Sequence, residues 1–289
     1  MAKFVFVDGA RRSWAPFFRK SRPQAEQGAA SAAGTTTRGR FRWRLGTTLV
    51  AAGVLSLAYG AAVYFWHDPV TDVYARWKQR GLAADIEKTF AEYRAAATGS
   101  TELVGSTDQP AGAPDQAPAA GGEGADVQAA VQTDALRFAD AVEPGQPIGR
   151  LVVPRLGVKP VFVNGTEWGR DLSRGPGRYP QTSFPGLGGV TAIAGHRTTF
   201  GAWFRHIDEL RAGDEITLRM PYGTFVYRVT GHEIVANDDW RIIRPRAEET
   251  LVLSACHPLY GASQRWVVFA TLERVDSPRG TYTPRPAAA

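Results

Sequence analysis

The sequence predicts a mainly β domain in its second half, preceded by a membrane-spanning helix. Short β-like runs separated by Gly and Pro occupy about residues 148–275, and residues 45–65 are apolar and uncharged. A stretch rich in Gly, Pro and Ala separates the two regions. Many short strands with turn signals indicate a closed or nearly closed barrel, or a sandwich.

The predicted strands share short length, β-branched or aromatic residues, and flanking Gly or Pro. They are residues 148–156, 158–165, 189–195, 214–220, 224–236, 250–256 and 264–275. The block of about 130 residues that they define is large enough to bury one hydrophobic core. We therefore take residues 127–275 as the folded β domain.

The net charge of +6 is concentrated at one end of the 289 residues. Residues 1–44 hold ten Lys or Arg and two acidic residues, whereas the remainder is close to neutral. A basic protein can be a nucleic-acid binder, but basic residues next to an apolar run are explained by membrane topology. We therefore expect no nucleic-acid partner.

Residues 45–66 are predicted to form a transmembrane signal anchor. The 21 residues from Leu45 to Phe65 are uncharged, and about 20 apolar residues span a bilayer core. A cleaved signal peptide and a buried helix of a soluble domain are the alternatives. The basic residues before the span predict a single-pass cell-membrane protein with a cytoplasmic tail, 1–44, and an extracellular β domain.

Three further segments are assigned from their composition. Residues 67–97 carry apolar side chains at helical spacing and are predicted to form a helical stalk, which either lies on the membrane or packs on the β domain. Residues 98–126 contain five acidic and no basic residues and are predicted to be a disordered linker. Residues 276–289 are predicted to be a disordered tail.

The single cysteine, Cys256, ends the predicted strand 250–256. One cysteine cannot form an internal disulfide or a Cys-rich metal site. Free cysteines are commonly inert and buried, but Pro258 cannot donate to a sheet ladder and should end the strand near Cys256. This placement at a rim favours a reactive thiol over an inert one.

A nucleophilic thiol needs a partner for proton transfer and donors for the developing oxyanion. His196 follows the predicted strand 189–195 and is the best placed histidine. His257 adjoins Cys256, but adjacent strand residues point to opposite faces. Arg265 opens the strand after Cys256, so a strand–loop–strand unit can bring it back to the thiol. The other histidines, in contexts typical of the surface, are His67, His206 and His232.

Three segments resemble the sortase family, and within it the actinobacterial class E type. They are GVTAIAGHRTTFGAWF (189–204), LVLSACHPLYGASQRWVV (251–268) and LSRGPGRYP (172–180). In that family a His ends one barrel strand, a Cys ends another and an Arg starts the next, which fits the positions of His196, Cys256 and Arg265. The resemblance implies a closed β-barrel of about eight strands with short helices.

The resemblance also implies an activity. Sortases are membrane-anchored cysteine transpeptidases, so Cys256 would attack the Thr–Gly bond of an LPxTG- or LAxTG-like sorting signal and form a thioester. His196 would act as acid and then as base, and Arg265 would stabilise the oxyanion. The implied partners are secreted proteins with a C-terminal sorting signal, and a peptidoglycan precursor or pilin amine as acceptor. No metal or organic cofactor is required.

One departure from the family concerns the residues before the nucleophile. The family usually has Thr directly before Cys, in a TLxTC pattern, whereas this chain has Ser254-Ala255. Ser254, Ala255 and Trp240, the last in the connection 236–249, are expected to contact substrate. An extracellular cysteine hydrolase or peptidase, and a degenerate non-catalytic sortase-like binding protein, remain the alternative functions.

Overall fold

The computed structural model describes residues 36–65, 68–102 and 122–284. The chain divides into two units, Met1–Leu55 and Ser56–Ala289. The helices are α1 (Thr36–Phe65), α2 (Pro69–Glu102) and α3 (Gly122–Ala141). The strands are β1 (Pro147–Val152), β2 (Val161–Asn164), β3 (Gly177–Arg178), β4 (Val190–Gly195), β5 (Glu215–Met220), β6 (Gly223–Ala236), β7 (Thr250–His257), β8 (Gln264–Ser277) and β9 (Gly280–Tyr282).

Eight strands of the second unit form a closed barrel. Their hydrogen-bonded order is β6-β5-β1-β2-β3-β4-β7-β8, and β6 also pairs with β8 to complete the ring. Two neighbouring pairs, β2–β3 and β4–β7, are parallel. Closure leaves no open sheet edge among these strands. The predicted closed barrel of about eight strands is confirmed.

Strand β7 separates the barrel interior from an outer apolar layer. Leu251, Leu253 and Ala255 belong to the interior cluster, whereas Val252 packs in an outer cluster over β4 and β8. Successive side chains of a strand alternate between its two faces. Cys256 therefore lies on the outer face of the barrel, on the same side as Val252.

Helix α2 packs on the barrel, which is one of the two arrangements that the sequence left open for residues 67–97. Leu82 and Ile86 are buried against Val161 and Val163 of β2. The Gln79 amide donates to the Val161 carbonyl and accepts from its N–H, both at 2.8 Å. Apolar burial and this paired hydrogen bond fix the rotation of the helix about its axis.

Helix α3 closes one end of the barrel and corrects the predicted linker. Val131, Ala135 and Phe138, at positions i, i+4 and i+7, are buried in the interior cluster. Residues 98–102 belong to α2 and residues 122–126 to α3, so both ends of the predicted disordered linker 98–126 are helical. Residues 103–121 lie outside the described residues.

The predicted disordered tail 276–289 is wrong for its first part. β8 continues to Ser277, and β9 pairs with it in an antiparallel hairpin. Tyr282 of β9 is buried in the interior cluster, so apolar burial holds the hairpin in place. Residues 285–289 lie outside the described residues.

Helix α1 coincides with the predicted anchor. Within the described part of the chain, one helical segment is long and apolar enough to cross a membrane, Arg44–Phe65, with a mean hydropathy of 1.7. Its large apolar side chains are exposed, as Leu49 and Leu57 illustrate. Trp66, His67 and residues 1–35 of the predicted basic tail lie outside the described residues.

Candidate active site

The parallel pairing of β4 with β7 brings His196 and Cys256 to the same edge of the sheet. The last register pair of these strands is Gly195 with Ala255. Parallel strands run in the same direction, so the residues that follow this pair, His196 and Cys256, are neighbours, although β4 ends at Gly195 and β7 continues to His257. Two residues 60 positions apart in sequence thus become neighbours.

The antiparallel pairing of β7 with β8 places Arg265 directly opposite Cys256. Its guanidinium Nη1 donates to Cys256 Sγ at 3.6 Å. Nη1 also donates to the backbone carbonyls of Ala262 at 3.2 Å and Gln264 at 3.1 Å, which anchors the guanidinium to the β7–β8 turn. Cys256 is half-buried rather than sealed in the interior, and it lies one residue before the end of β7.

The imidazole of His196 is packed in a pocket of low polarity. Its Nε2 atom is shielded from solvent and has no hydrogen-bond partner among the described residues. The Phe200 ring lies beside it, with 5.4 Å between ring centroids. Burial lowers the pKa of His196 below its ordinary value of 6.5, so the ring is neutral at neutral pH.

The loop after His196 is held by a buried arginine that the sequence did not single out. Arg197 is 5% exposed, donates twice to the Arg205 carbonyl at 3.0 and 3.1 Å, and pairs with Asp208 at 2.8 Å. The Phe204 N–H donates to the His196 carbonyl at 3.0 Å. The only signal in the sequence was a charged residue directly after the strand and the histidine.

The predicted substrate contacts at Ser254 and Ala255 need correction. Ser254 is 1% exposed, and its hydroxyl lies 2.8 Å from the Tyr179 hydroxyl. Ala255 is 2% exposed and packs in the barrel interior, on the face opposite Cys256. Neither side chain is accessible to a peptide, because one is covered by Tyr179 and the other points into the core.

Trp240, by contrast, lies where a peptide could reach it. It is 58% exposed and opens the short helix Trp240–Ile243 in the β6–β7 connection. Ile242 and Ile243 of that helix pack on the outer apolar layer, the face that also carries Cys256. Asp239 caps the helix, and hydrogen bonds from Arg241 lower the pKa of its carboxyl to about 2.

Comparisons with known proteins agree with this geometry. The sequence model of the Sortase domain family matches residues 151–273, a range that contains His196, Cys256 and Arg265. Sortase D of Bacillus subtilis (strain 168) is 34% identical over 131 residues, 44% of this chain and 64% of that protein. Sortase A of Bacillus anthracis is 30% identical over 144 residues, 49% of this chain and 67% of that protein.

A third relative is sortase SrtE1 of Streptomyces coelicolor (strain ATCC BAA-471 / A3(2) / M145), 26% identical over 151 residues. That match covers 47% of this chain and 43% of the relative, and it is consistent with the class E resemblance. The matches thus span about two thirds or less of each relative. The closed barrel, the three strand-end side chains and these relatives together show that the chain belongs to the sortase family.

Proposed function

We propose that this protein is a membrane-anchored cysteine transpeptidase that acts on sorting signals. The observation that supports the proposal is the contact of Arg265 Nη1 with Cys256 Sγ at 3.6 Å, on strands whose register also makes His196 a neighbour of Cys256 along the chain direction. The resemblance to sortases supplies the substrate class, an LPxTG- or LAxTG-like signal at the C-terminus of a secreted protein.

In the first step, Cys256 Sγ attacks the carbonyl carbon of the Thr–Gly bond. Because burial keeps the pKa of His196 low, its neutral imidazole accepts the proton that leaves the thiol. The carbonyl oxygen becomes the oxyanion, on the carbon that is now bonded to Sγ, within reach of the Arg265 guanidinium that already contacts the sulfur. Charge-assisted donors of this kind stabilise tetrahedral intermediates.

In the second step, the C–N bond breaks and His196 gives its proton to the departing Gly amine. The thioester that remains is attacked by an amine of a peptidoglycan precursor or a pilin. His196 then takes the proton of the incoming amine and returns it to the Cys256 sulfur as the thioester breaks. His196 therefore carries every proton that is transferred, and Cys256 and His196 return to their starting protonation states.

The outer face beside Cys256 is the natural place for the signal peptide. The short helix Trp240–Ile243 forms one wall, and the exposed Trp240 ring offers an apolar surface for the Leu-Pro or Leu-Ala part of a signal. The span Arg44–Phe65 would anchor the enzyme, and the basic residues before it favour an extracellular catalytic domain.

Product analysis tests the proposal. The full chain in detergent is incubated with a panel of pentapeptide-containing signal substrates, with and without an added amine. Amide product in the presence of amine supports a transpeptidase, whereas free acid alone under both conditions supports a hydrolase. No turnover, together with a Cys256 alkylation rate equal to that of a simple thiol, supports a non-catalytic binding protein.

Two variants sharpen the result. Cys256→Ala should abolish turnover while the circular dichroism spectrum and melting temperature stay close to those of the parent chain. Ser263→Ala, an exposed position in the β7–β8 turn, is the matched control and should keep full activity. Normal turnover by Cys256→Ala would refute the nucleophile assignment.

A further inference from the structure

Helix α2 presents two faces of different character. The face on the barrel is formed by Ala75, Gln79, Leu82 and Ile86, at positions i, i+4, i+7 and i+11. Because this stripe is fixed by burial and by hydrogen bonds to β2, the opposite side of the helix must point away from the barrel.

The opposite side is apolar in the first turns of the helix. Val70 is 65% exposed, Val73 68% and Trp77 61%. Their spacing of three and four residues places them on one face, which we call the outer apolar face of α2. Further along the same side the exposed residues are charged or small, with Arg80, Ala84 and Lys88. The apolar part is thus confined to the start of α2.

This apolar part begins five residues after the candidate membrane span Arg44–Phe65. Its composition matches the bilayer interface, where Trp is enriched and apolar side chains enter the headgroup region. Lys78 Nζ lies 4.7 Å from the centroid of the Trp77 ring, so a positive charge borders the face. Lys78 and Arg80 complement anionic lipid headgroups.

We propose that the outer apolar face of α2 docks on the surface of the bilayer that α1 spans, with Lys78 and Arg80 against anionic phosphates. This proposal rests on the membrane anchoring stated under Proposed function. It commits to lipid as the occupant, because the face follows a span directly, changes from apolar to charged with distance along the helix, and has a basic border.

The effect of docking would be transmitted to the candidate active site by hydrogen bonds at the start of α2. The Asp68 N–H donates to the Thr198 carbonyl at 3.2 Å, and the Phe200 N–H donates to Thr71 Oγ1 at 3.0 Å. Both acceptor and donor belong to the loop after His196, whose ring packs beside Phe200. The membrane surface would thereby hold the loop that carries His196 at a fixed distance from the bilayer.

Site-directed spin labelling of the full chain tests the docking. Cys256→Ala removes the single cysteine, and Val73→Cys then provides one attachment site for a nitroxide. The labelled protein is reconstituted in vesicles of phosphatidylcholine and phosphatidylglycerol, and collision rates with oxygen and with a nickel chelate report depth. We expect high oxygen and low nickel access at position 73, as for a side chain buried about 5–10 Å into the headgroup–acyl boundary.

Two further labels make the result decisive. Leu136→Cys is the matched control, since Leu136 is also an exposed apolar residue of a helix, and it should be open to nickel. Val54→Cys lies in the span and reports the anchor itself. If the label at position 54 is inaccessible to nickel while the label at position 73 is as accessible as the label at position 136, the docking is refuted but the anchoring stands. If the label at position 54 is itself accessible to nickel, the anchoring is refuted.

The same experiment separates lipid from protein occupants. Shielding of position 73 from both oxygen and nickel would mean that another protein surface covers it, and would overturn the proposal. Replacing phosphatidylglycerol by phosphatidylcholine should make position 73 shallower, and Lys78→Gln with Arg80→Gln should remove that dependence. If the depth of position 73 is the same with and without phosphatidylglycerol, the proposed role of these two cations is refuted.

Discussion

Gly195 is the position where a single methyl group should do most damage to the site. An ideal Cβ on Gly195 would lie 2.5 Å from Cδ2 of the Phe204 ring and 2.8 Å from its Cε2 and Cγ atoms. Carbon atoms pack at about 3.5–4.0 Å, so the ring or the strand would have to move by about 1 Å. Phe204 is fully buried and its N–H is bonded to His196, so the ring cannot move into solvent.

Two effects of Gly195→Ala follow from that overlap. Overpacking costs about 1–3 kcal/mol, which lowers the melting temperature by about 2–4 °C per kcal/mol for a domain of this size. His196 is the next residue, and a displacement of about 1 Å in a reacting group can reduce turnover by about 100-fold. We expect both losses in Gly195→Ala.

Thermal unfolding and steady-state kinetics with a signal peptide and an amine check the prediction. The matched control is Gly231→Ala in β6, where a Cβ would have no atom within 4 Å, and which should leave both quantities near those of the parent chain. The overpacking argument fails if Gly195→Ala and Gly231→Ala give the same melting temperature and the same kcat/KM.

Three other predictions concern the site and its support. Arg265→Lys keeps the charge but loses the planar fork, so kcat should fall by about 10²–10³-fold; rates near wild type would give Arg265 another role. Burial lowers the pKa of His196 in the folded chain, so as pH falls the unfolded chain takes up a proton first, and the folded state loses stability below about pH 6.5. Melting temperatures measured against pH should show this loss in the parent chain and not in His196→Gln. The same pH dependence in both proteins would contradict the prediction. Ser254→Ala should lower the free energy of unfolding, measured by denaturant melts, by about 1–3 kcal/mol, because the Tyr179 hydroxyl loses its hydrogen-bond partner. Adding Tyr179→Phe should recover part of this loss. If the losses of the two single variants simply add in the double variant, the two hydroxyls do not interact.

The strands were predictable because their patterns are local. Alternating or compact apolar runs between Gly and Pro gave every long strand to within a few residues. β3 has two residues and therefore no pattern. The start of α3 was assigned to a linker because Gly122 to Asp126 resemble the flexible segment before them, although Val131, Ala135 and Phe138 carry helical spacing.

The positions of the three candidate residues at the ends of strands were also predictable, whereas the contacts that support them were not. His196, Cys256 and Arg265 each adjoin an apolar strand, which is a local signal. Ala255 was assigned to substrate because it precedes Cys256, yet strand alternation alone places it on the opposite face. The positions of Arg197 and Phe200 depend on contacts made by the loop after His196 and by α2, which no local pattern reveals.

The pairing of β4, β7 and β8 has a consequence for how such an enzyme can evolve. The residues proposed as nucleophile, acid–base group and anion donor lie in or directly after three adjoining strands of one continuous hydrogen-bonded sheet. Their mutual spacing is therefore independent of changes in the β6–β7 connection, which we propose contacts the signal peptide. The β6–β7 connection could be exchanged for one of different length or composition, and a new peptide preference would arise while the chemistry stayed as it is.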